Sequence, residues 1–222
     1  MKHLFANWKM SLSAEESVAR AREILLLNRS QDVELVLFPS ASAFAAVRDA
    51  VNGKLLLGAQ DGHPEGATYV LVGHSDRRAQ SDADEIVAKK LQEAADAGLV
   101  PVLCVGETKA ERDAGARDER IRAQVTSALT GARVQKVFIA YEPVWAIGSG
   151  QNNTPEDTVS AIAVIDLALK AVASDVSAVY LYGGSVNPHN VASYTHLPAL
   201  GGVLVGKAGT SSASLRDIME TM

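Results

Sequence analysis

The 222-residue chain contains one cysteine, Cys104, so it can form no internal disulfide, as expected in a reducing compartment. No stretch approaches the ~20 apolar residues of a membrane helix, and the opening MKHLFANWKM turns polar too soon for a secretory signal. A soluble cytoplasmic protein with no membrane partner is expected. Basic side chains are not in excess: 21 Lys and Arg stand against 26 Asp and Glu, for a formal net charge of -5. Phosphate backbones attract the opposite balance, so nucleic acid is not an expected partner. Low-complexity linkers and shifts of composition are also missing, and residues 1–222 read as one domain. Hydrophobic residues make up 47% of the chain, enough to bury one substantial core without a disulfide or metal staple.

Eight short apolar runs read as strands, at 3–8, 33–38, 54–60, 68–73, 100–106, 136–142, 178–183 and 202–206. Most are continuously apolar instead of alternating, the mark of strands covered on both faces. Helical patterns lie between them. Ser13 with Glu16 forms a capping box for a helix reaching about Leu27, and Ser81 with Asp84 resembles one for a helix ending near Gly98. Thr154-Pro155 followed by Glu156 and Asp157 opens a helix to about Ala173. Weaker patterns predict helices over 41–51, 117–130, 187–195 and 211–221.

This alternation predicts an α/β fold. A doubly wound dinucleotide fold should carry GxGxxG after its first strand, but NWKMSLS stands there, so a closed (β/α)8 TIM barrel is favoured. One connection is abnormally short or incomplete. From Asp61 to Thr68 there is no room for a helix, although a parallel crossover normally takes about a dozen residues or more. Fully extended, it could barely retrace a strand, and a barrel wall left bare of its helix would expose apolar surface.

Polar residues gather at the C-terminal ends of separate strands: Asn7 and Lys9, His74 and Ser75, Glu107, and Glu142. In a barrel those ends converge on the face where active sites lie. Gly148, Gly150, Gly183, Gly184 and Gly206, with Ser185, follow the same rule and offer backbone N–H groups to an anion. Each residue taken alone has a plainer reading. His74 could be a structural hydrogen-bonder, Lys9 a solvated charge, Glu142 an ion-pair partner and the glycines ordinary turns.

The strings NWKM (7–10), GHSDRR (73–78), CVGET (104–108), AYEPVWAIGSG (140–150), YGGSV (182–186) and LVGKA (204–208) resemble the triosephosphate isomerase family, in family order from end to end. The resemblance implies isomerisation of triose phosphate, in glycolysis and gluconeogenesis, with no cofactor and no metal. It implies Glu142 as the base, and Lys9 as positive charge near the developing oxyanion. His74 would be a neutral hydrogen-bond donor, a tuning of which this family is itself a usual worked example. Asn7 would position the substrate. Phosphate would be gripped by Gly148, Ser185, Gly206 and Lys207 beneath a lid of Pro143, Val144, Trp145, Ala146, Ile147, Gly148, Ser149 and Gly150. Pro143 to Trp145 would form one hinge, and Gln151, Asn152 and Asn153 the other.

Four departures from the family pattern stand out. Asp76 replaces a glutamate and is expected to misplace a carboxylate beside Lys9. Lys207 replaces a glycine, and Gln151-Asn152-Asn153 replaces the commoner hinge residues. Roughly 17 residues of the family's third connection, a loop that inserts into a partner subunit, are absent at Glu65-Gly66. A homodimer is expected if the molecule carries that loop, and a monomer of reduced activity if it is truly deleted. The competing readings are a catalytically impaired, isomerase-like phosphate-binding barrel and a different sugar-phosphate barrel enzyme. The latter does not account for AYEPVWAIGSG.

Overall fold

The structure is a computed structural model and describes residues 1–27 and 30–222. Eight parallel strands close into a barrel in chain order. They are β1 (Lys2–Asn7), β2 (Val33–Phe38), β3 (Leu56–Ala59), β4 (Tyr69–Val72), β5 (Val100–Val105), β6 (Lys136–Tyr141), β7 (Ser177–Tyr182) and β8 (Gly202–Val205). The ring is shut by pairing of His3 to Ala6 with Gly202 to Val205. Each apolar run became a strand because alternate side chains serve two cores. Phe5, Phe38, Tyr69, Leu71, Phe138 and their neighbours fill the barrel, while Leu4, Leu37, Val70, Val72 and Ile139 face the helical layer.

Among the described residues the helices are α1 (Ala14–Leu25), α2 (Phe44–Val51), α3 (Ser75–Gln80), α4 (Asp84–Asp96), α5 (Lys109–Asp113), α6 (Arg117–Leu129), α7 (Pro155–Val172), α8 (Ala192–Thr195) and α9 (Ser212–Thr221). Ser13 and Glu16 make the expected reciprocal capping box, and Thr154 caps α7 through the Asp157 N–H. The Ser81–Asp84 box does not form. Residue Ala83 opens α4 without a side-chain cap, Ser81 instead closes α3, and Arg78 and Arg120 take the Asp84 carboxylate. The helix expected over 187–195 shrinks to α8. Asn187 and Asn190 bind nearby backbone in its place: the Asn187 N–H donates to Asn190 Oδ1 at 2.8 Å, and the His189 N–H to Asn187 Oδ1 at 2.9 Å. Such local bonds offer the chain an alternative to a helical turn.

The connection over residues 60–68 holds no helix, and the barrel closes across it with Gly58 paired to Tyr69 and Ala59 to Val70. The expected bare wall is not seen. Val70 and Val72 are buried, in one apolar cluster with Val47, Val87 and Leu91 of α2 and α4. Residues 61–63 border a cleft of about 170 Å³ over β4. Charged groups pair beside it. Lys90 Nζ lies 3.0 Å from Asp61 and 2.8 Å from the buried Asp82, and Arg77 lies 3.2 Å from Asp61 and 3.5 Å from Asp82. Removing one partner from a part-buried cluster leaves the others poorly compensated. Asp82→Ala should therefore lower the unfolding free energy by about 2 kcal/mol in a urea titration. A change within about 0.5 kcal/mol would mean that the cluster does not stabilise the fold.

Candidate active site

The C-terminal ends of the strands open into a cavity of about 610 Å³. Asn7 ends β1, His74 follows β4 by two residues, and Glu142 follows β6 directly. These three side chains and Lys9 line the cavity, and all but Lys9 are buried. Gly183, Gly184 and Ser185 after β7, and Gly206 and Lys207 after β8, line it too. Of the expected lid, Ile147, Gly148 and Gly150 border the cavity; Pro143, Val144, Trp145, Ala146 and Ser149 lie outside its lining.

His74 Nδ1 accepts the Asp76 N–H at 3.2 Å, where it caps α3. An accepting nitrogen carries no proton, so the ring proton sits on Nε2. That nitrogen faces Glu142, 3.6 Å from Oε1, beyond ordinary hydrogen-bond length. Glu142 Oε2 is buried and has no hydrogen-bond partner among the described residues. A buried carboxylate oxygen without a partner is costly unless a substrate is to supply one. The carboxylate is seated against β7, where a Cβ on Gly183 would come 2.7 Å from Glu142 Cγ. Burial, and then the Glu142 charge, push the Cys104 thiol well above its ordinary range, so this sulfur has little thiolate character.

Lys9 has φ +49°, a left-handed backbone uncommon outside glycine. Its N–H donates to Asn7 Oδ1 at 2.9 Å, and its Nζ to Asp76 Oδ2 at 3.0 Å. The shorter carboxylate at position 76 therefore does reach Lys9, contrary to the expected misplacement. Burial works to raise the Asp76 carboxyl pKa, but the hydrogen bond from Lys9 and neighbouring positive charge hold it below the ordinary value.

The model of the triosephosphate isomerase family matches residues 2–222. Curated relatives bearing that name include one from Roseiflexus sp. (strain RS-1), 40% identical over 97% of this chain and 95% of its own. Another, from Acidiphilium cryptum, is 41% identical over 95% and 97% of the two chains, and one from Aquifex aeolicus is 34% identical over 96% of each. The chain belongs to the triosephosphate isomerase family. The alignments with the first two span 246 and 248 positions against 222 residues here, so these isomerases carry residues with no counterpart in this chain.

Both ends of the loop from Pro143 to Asn153 are tied to buried polar groups. Glu107, fully buried, accepts from Trp145 Nε1 at 2.8 Å and from the Tyr141 hydroxyl at 3.1 Å. Burial and the Glu107 charge push the Tyr141 phenol up, so it remains a donor. The Arg112 guanidinium stacks 4.3 Å over the Trp145 ring. At the other end, the Asn153 N–H donates to Tyr182 Oη at 2.9 Å, and its carbonyl accepts from Tyr194 Oη at 2.6 Å. Ser185 Oγ donates to the Ala146 carbonyl at 2.6 Å, linking the loop after β7 to the loop after β6. Between the ties, Gly148 and Gly150 adopt positive φ, so the tip turns where other residues would be strained. Glu107 was legible as a strand-end polar residue and within CVGET, and Tyr182 stood in YGGSV, but no local signal tied either to this loop or marked Arg112 or Tyr194.

Proposed function

We propose that this site interconverts dihydroxyacetone phosphate and D-glyceraldehyde 3-phosphate, in glycolysis and gluconeogenesis, with residues 1–222 acting as one domain. The chain is an aldose–ketose isomerase. The Glu142 carboxylate takes a proton from the carbon beside the substrate carbonyl and leaves an enediolate. His74 Nε2–H donates to the oxygens of that intermediate and moves a proton between them. Glu142 then returns its proton to the neighbouring carbon. A carbon acid this weak needs both an aimed base and donors where negative charge develops. Lys9 supplies positive charge to the oxyanion, and Asn7 positions the substrate. The phosphate is held by backbone N–H groups of Gly148, Ser185, Gly206 and Lys207. Lid closure excludes water and restrains loss of phosphate from the enediolate.

The observation that carries this reading is the approach of Glu142 Oε1 to 3.6 Å from His74 Nε2, at the cavity rim shared with Lys9. No observation favours an impaired phosphate-binding barrel, since Asp76 keeps its contact with Lys9. For the 222-residue chain the reading includes a cytoplasmic location and a monomer, the latter supported by the covered β4 wall and the charged crossover; a longer crossover would favour the homodimer. A coupled assay on folded protein should give turnover of either triose phosphate, in a fraction sedimenting at 23.4 kDa. Folded protein without turnover would defeat the enzymatic reading, and activity confined to a dimer would defeat the monomer.

A further inference from the structure

The left-handed backbone of Lys9 must be held by something, because in the common backbone conformations the same side chain would project elsewhere. Asn7 Oδ1 restrains its N–H side at 2.9 Å. Its carbonyl side is restrained by Gln60, whose Nε2 donates to Lys9 O at 2.9 Å and to Phe38 O at 3.0 Å. One carboxamide nitrogen has two hydrogens, and both are spent on these carbonyls. The fork fixes the loop after β1 against the end of β2. The Phe38 carbonyl also accepts the Trp8 N–H at 3.0 Å, so three segments meet at one oxygen. Gln60 itself is the first residue of the short crossover, directly after β3.

We infer that Gln60 is a positioning residue for Lys9: its carboxamide clamps the Lys9 and Phe38 carbonyls and aims the Lys9 ammonium into the cavity from within the same chain. The inference rests on the reading of Lys9 as part of the isomerase machinery. It explains how a chain with a curtailed β3–β4 connection keeps Lys9 set toward Asp76 and the cavity: the residue that starts the connection supplies the clamp. Without the two donors, Lys9 could relax to ordinary φ and carry its ammonium away from the reacting oxygen. Displacements of about 1 Å at reacting groups cost on the order of 100-fold in rate.

The test is a double-mutant cycle in kcat/KM for glyceraldehyde 3-phosphate, with thermal midpoints measured alongside. Gln60→Met preserves the length of the side chain and removes its donors; it should lower kcat/KM by about 10- to 100-fold. In a Lys9→Met background the same change should lower kcat/KM by less than about twofold, because the group being aimed is gone. A loss that repeats in full in the Lys9→Met background, or no loss in the single variant, overturns the inference. If Lys9→Met alone retains wild-type activity, the reading of Lys9 fails and the inference fails with it; the two failures are thus distinguishable. Should Gln60→Met not fold, Gln60→Glu at pH 8 carries the same comparison, since an ionised carboxylate cannot donate to either carbonyl.

Discussion

Glu142→Asp lowers kcat by about 100- to 1,000-fold while the inhibition constant of inorganic phosphate changes by less than about twofold. The expectation follows from how the carboxylate is mounted. Its backbone is fixed at the end of β6, where its N–H donates to Val105 O at 2.7 Å, so a shorter side chain cannot be advanced to compensate. Loss of one methylene withdraws the carboxylate by roughly 1.5 Å, the length of a C–C bond. Proton transfer from carbon is sensitive to that distance, because the base must reach the carbon-bound proton directly. The phosphate grip proposed above lies on other loops, those after β7 and β8 and around Gly148, and does not depend on the length of this side chain. Steady-state kinetics with phosphate as a competitive inhibitor separate the two quantities. Parallel loss of turnover and phosphate affinity would show that Glu142 supports the pocket instead of acting as the base.

A second large effect is expected at His74, and here stability and chemistry can be pulled apart. His74→Ala removes the donor proposed to face the substrate oxygens and should lower kcat by about 100- to 1,000-fold, the usual cost of one oxyanion donor. It also removes the Nδ1 acceptor that caps α3, which should cost about 1 kcal/mol of stability. His74→Asn retains a side-chain oxygen suited to that cap but cannot extend a donor as far as Nε2 does. It should therefore recover most of the stability and little of the turnover. Thermal unfolding and kcat measured on both variants decide the matter. If the asparagine variant recovered turnover in step with stability, His74 would be structural.

The barrel was legible in the sequence because its strands are continuous apolar runs, and their boundaries shift by only a residue or two where turns replace the last ladder bonds. Helix starts were legible where a hydroxyl stood one turn before an acidic residue, as at Ser13 and Thr154. The same pattern misled at Ser81, because two arginines outcompeted the cap for Asp84. The strand-end positions of Asn7, His74 and Glu142 could be read directly, since chain order is spatial order in a closed parallel ring.

What was not legible depends on residues far apart in the chain. Gln60 reaches Lys9 across 51 positions, and Trp145 reaches Glu107 across 38, so neither pairing leaves a periodic or local trace. The fate of the short crossover was hidden for the same reason. Its length predicted an uncovered strand, but Val70 and Val72 are buried with α4 packed on β4, and Asp61 pairs with Lys90 and Arg77 nearby.

The central claim is that one carboxylate shuttles a proton between adjacent carbons of a triose phosphate. It is tested most directly by running the isomerisation in deuterium oxide and following substrate and product by proton NMR. A base that exchanges with solvent through an enediolate should introduce deuterium at the carbon beside the carbonyl of the product, and the Glu142→Asp variant should do so at a rate reduced in proportion to its kcat. Turnover without any deuterium in the product, or incorporation as fast in the variant as in the wild type, would contradict the account.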